Sequence, residues 1–294
     1  MKNIRTAIIL LLAAAMCFGL FTGCGAKAPA ESAGASAEAS PSQASAAADD
    51  DLAYITANKQ LVIGYTVYEP MNYTDDKGEF TGFDTEFAKA VCAKLGVEPK
   101  FVEINWDTKE VELNAKSIDC IWNGLTITDD RSANMSISLP YVKNAQVIVV
   151  KSDSTVKSTA DLVGKTVVAE VGSAGEMQVI GGEDVEPDAS LAKSNYVGMN
   201  KQTDCLLEVK AGTADAAVLD WTLAKSMVGE GTDFADLKIL DGVELAAEEY
   251  GIAFRKGSTV TDKVNDIIKE LVADGTLPKL AEKYGLSLAP SIEK

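Results

Sequence analysis

Ser117-Ile118-Asp119-Cys120-Ile121-Trp122-Asn123 and Thr213-Ala214-Asp215-Ala216-Ala217-Val218-Leu219-Asp220 follow one plan: an acidic residue, an apolar run, and a polar residue where the run stops. Each is preceded by a helical pattern, at 110–116 in the first copy and 203–210 in the second. Strands that alternate with helices of this length build parallel sheets from strand–helix–strand units. Further strands are expected at 60–65, 100–104, 165–170 and 195–198, and two short helices at 263–273 and 277–284. A helix is expected over 84–95, with Asp84 as N-cap and Gly96 as its stop. Phe87, Val91, Cys92 and Leu95 recur there at three- and four-residue spacing, so one face packs on a sheet. The fold class is therefore α/β, with two open units whose strand ends face each other across a cleft. The apolar segments 145–150 and 250–254 would cross between the units.

The first copy runs on as Gly124-Leu125-Thr126-Ile127-Thr128-Asp129-Asp130-Arg131. Small polar groups at a strand end, with one arginine eight residues beyond Asn123, suit a small anion such as a carboxylate. The plainer reading is a strand-to-helix turn capped by Thr128, with Arg131 in solvent. Asp220, taken alone, reads as the N-cap of a helix over 221–227.

Outside this body the chain changes character. Lys2 and Arg5 precede an apolar run from Ala7 to Leu20, the pattern of a secretory signal and too short for a spanning helix. Leu20-Phe21-Thr22-Gly23-Cys24 resembles the lipobox of bacterial lipoproteins, which makes residues 1–23 a signal peptide and Cys24 a lipid anchor outside the cytoplasmic membrane. Residues 24–50 are dominated by Ala, Ser, Glu, Gly and Pro, with no aromatic or branched aliphatic side chain to bury, a disordered tether.

The net charge of −17 becomes −19 without Lys2 and Arg5. So acidic a surface excludes a nucleic-acid partner, and leaves membrane contact to the lipid alone. Histidine is absent, which removes Ser-His-Asp and Cys-His nucleophiles and His-containing metal sites. No CxxC, Walker A or GxGxxG occurs, and no metal or cofactor is expected. Cys92, Cys120 and Cys205 read as buried free thiols, with a Cys92–Cys120 bridge as the open alternative.

Several motifs then occur in a fixed order: Gly82-Phe83-Asp84, Thr126 to Arg131, Leu139-Pro140-Tyr141, Asp161-Leu162-Val163-Gly164-Lys165, Gly172-Ser173, Tyr250-Gly251-Ile252-Ala253 and Ala273-Asp274-Gly275-Thr276-Leu277. Through them the chain, from about Leu61 to Leu286, resembles the bacterial solute-binding proteins of family 3, the polar amino-acid receptors of ABC importers. The resemblance implies a two-lobed, type II periplasmic-binding-protein-like fold, each lobe an open sheet flanked by helices. Residues 51–147 with 250–294 would form lobe 1 and residues 148–249 lobe 2, joined by two hinge strands with the ligand in the cleft. It implies a non-enzymatic monomer that closes on a free amino acid and delivers it to the importer's transmembrane subunits.

The resemblance also assigns roles. Arg131 forks the α-carboxylate, aided by Thr126 and by the strand end at Asn123 and Gly124; backbone N–H groups at Ser173 and Ala174 approach from the other lobe. Asp220 takes the α-ammonium, and a ligand cation relieves its burial. Glu170 is either a side-chain partner or a solvated strand end, and Tyr65, Tyr68 and Trp106 are either aromatic walls or core. No second arginine or lysine need line the cleft, so a neutral polar or cationic ligand is favoured over an acidic one. The same scaffold also carries two other readings, a dehydratase using cleft carboxylates and a ligand sensor.

Overall fold

The computed structural model describes residues 50–292, so the expected signal, the Cys24 anchor and nearly all of the tether lie outside it. The chain begins with α1 (Asp51–Asn58), β1 (Gln60–Tyr65), β2 (Tyr73–Thr74), β3 (Phe80–Thr81), α2 (Phe83–Leu95) and β4 (Glu98–Glu103). It continues through α3 (Lys109–Asn114), β5 (Cys120–Thr126), α4 (Asp129–Asn134), β6 (Met135–Ile137) and β7 (Val142–Lys151). Then come β8 (Thr166–Glu170), α5 (Ala174–Ile180), β9 (Asn195–Met199), α6 (Gln202–Ala211), β10 (Ala216–Asp220) and α7 (Trp221–Met227). The 19-residue β11 (Leu237–Arg255), α8 (Val260–Ala273) and α9 (Thr276–Lys283) complete it.

The strands lie in the order β4-β1-β5-β11-β7-β10-β8-β9, with β6 also paired to β11. β1 pairs in parallel with β4 and β5, and β8 with β9 and β10, as the repeated units require. Between these two parallel ends run β7 and β11, antiparallel to each other from Tyr250↔Val142 to Leu237↔Lys151. The two expected sheets are thus one continuous hydrogen-bonded ladder, joined through both crossing strands.

Each end has its own apolar filling. Phe87 stands edge-on to Trp122 at 5.0 Å and to Tyr141 at 5.5 Å, all three fully buried, while Ile148, Val167, Leu191 and Val218 fill the other end. Side chains of this size contribute about 1.5–3 kcal/mol apiece when withdrawn from water. The expected face of α2 is confirmed in Phe87, Val91 and Cys92, with Leu95 at its margin. Cys92, Cys120 and Cys205 are free and buried.

Four local expectations change. First, α1 was not anticipated; it is held by Asp51, whose Oδ2 lies 3.0 Å from Nε of Arg255. Second, β5 does not stop at Asn123 but continues to Thr126, because Gly124 adopts φ +60° and the strand then pairs with β11 as Leu125↔Gly251 and Thr126↔Tyr250. Third, Asp84 is not the cap of α2. Gly82 holds that place with φ +121°, where an added Cβ would lie 2.2 Å from the Met71 carbonyl oxygen. Asp84 instead turns inward and accepts from Gly124 N–H at 2.8 Å and Tyr141 OH at 3.0 Å, and burial lifts its pKa to about 7. Fourth, Thr128 does cap α4, accepting from Arg131 N–H at 3.1 Å, yet the arginine side chain is buried rather than solvated.

Candidate functional site

Where β5, β8 and β10 end, Arg131, Thr126, Gly124, Glu170, Ser173 and Asp220 surround one small pocket, with Asn123, Ala174, Tyr68, Trp106 and Gln202 completing its wall. The pocket is almost shut: its water-accessible volume is about 10 Å³ within an empty volume of about 260 Å³. A larger, open groove of about 910 Å³ between β6, β11 and α8 contains neither Arg131 nor Asp220, although Glu248 of β11 lines it.

Arg131 is positioned by the cap geometry of α4, which turns its side chain back toward β5. Its Nη1 donates to Thr126 O at 2.8 Å, and its Nη2 donates to Gly172 O, on the far side of the pocket, at 3.0 Å. Desolvation lowers its pKa while the nearby Glu248 carboxylate opposes that shift. A guanidinium so placed presents a planar fork to the pocket.

Lys109, the first residue of α3, is a second basic group beside the pocket, although it is not among the residues that line it. It is buried, its Nζ lies 5.0 Å from the Trp106 ring centre, and it donates to Trp106 O at 3.1 Å and to Gly172 O at 3.0 Å. Burial, then repulsion from Arg131, depresses its pKa to about 8.

Asp220 sits at the N-cap position of α7, but its side chain does not cap the helix. Oδ1 accepts from Asn144 Nδ2 and Gln146 Nε2, each at 2.6 Å, and Oδ2 accepts from Gln202 Nε2. Gln202 Oε1 in turn receives Asp220 N–H at 3.0 Å. Glu170, at the end of β8, is 3% exposed and its Oε1 is buried without a hydrogen-bond partner. Burial raises its pKa to about 8, the Asp220 charge adding to the effect and Lys109 opposing it. A buried acid in that condition is ready to accept a cation.

The other expected residues divide. Tyr68 lines the pocket and shares a 2.6 Å hydrogen bond with Tyr250 OH. Tyr65 is not brought to the pocket; its ring packs 4.8 Å from Phe80 and 6.2 Å from Phe101. Asn123 reaches the wall, but its amide is engaged with structural partners, donating to Thr66 O and Asn72 Oδ1 and accepting from Thr66 N–H and OH. Ser173 caps α5 through Glu176 N–H, and its own N–H donates to Glu170 O, which leaves Ala174 as the first helical residue at the pocket. Sequence reasoning missed Lys109, Asn144, Gln146, Gln202 and Glu248. Asn144 and Gln146 carried a signal: two amides at i and i+2 fall on one face of a strand that runs on into the apolar residues Val147, Ile148, Val149 and Val150.

Known proteins resemble this chain over most of its length. The family model for bacterial extracellular solute-binding proteins, family 3, matches residues 61–287. The arginine-binding extracellular protein ArtP of Bacillus subtilis (strain 168) is 32% identical over 232 residues, 78% of this chain and 87% of that protein. The L-cystine-binding protein TcyJ of Escherichia coli (strain K12) is 32% identical over 224 residues, 74% of this chain and 79% of its own. Among solved structures, a mutant of ArgBP from T. maritima matches with a TM-score of 0.72 at 36% identity, over 80% of this chain and 99% of that one. The expected fold is thereby established, and the chain belongs to the bacterial extracellular solute-binding proteins, family 3.

Proposed function

We propose that this protein captures a free amino acid, one with a cationic side chain in preference, and presents it to an ABC uptake transporter. The observation that carries the preference is Glu170, a buried carboxyl with an unpartnered oxygen on the wall of the pocket. Arg131 supplies the fork for an α-carboxylate and Asp220 the anion for an α-ammonium. Those two groups neutralise a zwitterion's own charges, so Glu170 is left for a guanidinium or ammonium on the side chain. Two of the relatives named above bind arginine by name, which supports this reading; the cystine-binding relative marks the neutral alternative.

Micromolar capture needs about −8 kcal/mol, several charge-assisted hydrogen bonds at roughly 1.5–3 kcal/mol each. Groups on both sides of the pocket are therefore required together. The nearly shut pocket suits a mechanism in which residues 51–147 with 250–294 form one lobe, residues 148–249 the other, and ligand holds them closed. The protein acts extracytoplasmically as a monomer, tethered through a lipid on Cys24.

A thermal-shift panel of the twenty amino acids tests the assignment, because a ligand that binds only the folded state raises the melting temperature. L-Arginine or L-lysine should give the largest shift. A panel without any shift would overturn the amino-acid reading, and a largest shift with a neutral or acidic member would overturn the role given to Glu170.

A further inference from the structure

Glu248 has no part in the site as the family resemblance drew it, yet its surroundings tie it to Asp220. It lies on β11 directly opposite Asn144 of β7, while Gln146 of β7 stands opposite Asp220 of β10. Asn144 Nδ2 donates to Glu248 Oε1 at 2.5 Å as well as to Asp220 Oδ1, and Gln146 Nε2 donates to the same Glu248 oxygen at 2.8 Å as well as to Asp220 Oδ1. Two carboxylates from different strands therefore share one pair of amide donors. The amide of Asn144 is fixed in this sense, because its Oδ1 accepts from Thr222 N–H at 3.1 Å and Thr222 OH at 2.6 Å.

We propose that Glu248 is a positioning residue of the α-ammonium subsite: with Asp220 it forms one carboxylate pair across two shared amides, and capture of an amino acid releases a proton from that pair. This rests on the amino-acid reading given above. Asp220 is buried and Glu248 half-buried, and like charges that share the same two amide donors do not both ionise cheaply, so the empty pair keeps a proton. Asp220 receives a third side-chain donor, Gln202, and stands at the start of α7, so the proton resides on Glu248. Burial and the Asp220 charge both hold the Glu248 carboxyl above its ordinary range.

The other groups facing Glu248 do not remove the conflict. They are the Thr126 hydroxyl, the Tyr68 and Tyr250 hydroxyls, Arg131, which donates to two carbonyl oxygens, Asp184 across an outer pocket, and, along the open groove that Glu248 also lines, Glu249, Asp262 and Lys256, whose Nζ donates to Ser132 O. Among the described residues no group of acids is spaced to hold a metal ion. An arriving ammonium is then the charge that lets both acids ionise. The ligand keeps its three N–H protons, and the Glu248 proton leaves to solvent.

The α-ammonium is common to all amino acids, whereas Glu170 would answer only to a charged side chain, and this separates the two acids. Isothermal titration with L-arginine and with its neutral isostere L-citrulline, in buffers of different ionisation enthalpy, counts the protons released. Glu248→Gln should remove about one proton from the count with both ligands, and lower the slope of log Kd against pH by about one between about pH 6 and about pH 8. Glu248→Asp should restore both, whereas Glu170→Gln should alter the count only with L-arginine. A Glu248→Gln protein that binds L-arginine with the proton count and pH slope of the wild type would overturn the inference. A wild type that binds neither ligand, and whose melting temperature none of the twenty amino acids raises, would overturn the amino-acid reading itself, and the inference with it; where the panel selects another amino acid, that one takes the place of L-arginine in the titration.

Discussion

The guanidinium of Arg131 and the ammonium of Lys109 end on one atom, the carbonyl oxygen of Gly172, each at 3.0 Å. Both cations come from the β4–α4 region, and the oxygen belongs to the turn between β8 and α5. On the reading proposed above, a ligand carboxylate would meet Arg131 through the N–H groups that the Thr126 and Gly172 carbonyls leave free.

Arg131→Met should therefore abolish capture rather than merely weaken it. The loss of a bidentate, desolvated partner costs about 3–5 kcal/mol, or at least about 100-fold in Kd. Calorimetry with L-arginine measures this, and affinity within tenfold of the wild type would remove Arg131 from the carboxylate role.

Glu170 links selectivity to stability. Its carboxyl ionises near 4.5 in the unfolded chain and at about 8 when folded, so the folded protein holds the extra proton and loses stability as pH rises between those values. Glu170→Gln abolishes that loss. At about pH 8 the empty variant should melt on the order of 5 °C higher than the wild type, while its L-arginine affinity falls about tenfold or more and its L-citrulline affinity changes little. Equal losses for the two ligands would show that Glu170 does not touch the side chain.

Gly124 needs to be glycine on two counts. Its φ of +60° disfavours any side chain, and a Cβ there would lie 2.8 Å from Tyr68 Cε1 and 3.0 Å from Tyr250 Cε2. Gly124→Ala should cost about 2–4 kcal/mol and disturb the pocket wall through Tyr68. A urea midpoint unchanged from the wild type would contradict this.

Arg255 fastens α1 to the body through Asp51 and Asp119, at 3.0 and 3.2 Å, and donates to the carbonyls of Leu113 and Ile118. Arg255→Met leaves those acids and carbonyls unmatched and should lower stability by about 3–5 kcal/mol. L-Arginine affinity should survive at concentrations where the variant is folded, since none of these groups reaches the pocket. A joint loss of stability and affinity would connect the staple to the site.

The strands were legible because buried parallel strands are apolar runs with abrupt ends, and those ends exposed Asn123, Glu170 and Asp220, whereas Thr126 came from the family resemblance. Arg131 was legible as a lone arginine after a stretch of small polar residues, although only the structure shows its side chain turning inward. Glu248 was not legible, since its importance depends on which residue of β7 lies opposite it, and register is not written in either strand alone. α1 escaped notice because it adjoins a low-complexity stretch, and its anchor, Arg255, is 204 residues away. Lys109 looked like any polar first-turn residue; three-dimensional proximity to Gly172 gave it meaning.

Among the described residues β7 and β11 are the two strands that join the parallel parts of the ladder, and they are bonded to each other along the whole of β7. A two-stranded ribbon bends readily out of its plane but resists sliding within it. If the ends of the sheet part, the flexure falls on the ribbon that carries Asn144, Gln146 and Glu248. Spring and detector are then one object: the curvature of the ribbon and the spacing of its polar side chains cannot change independently, and no relay between them is needed.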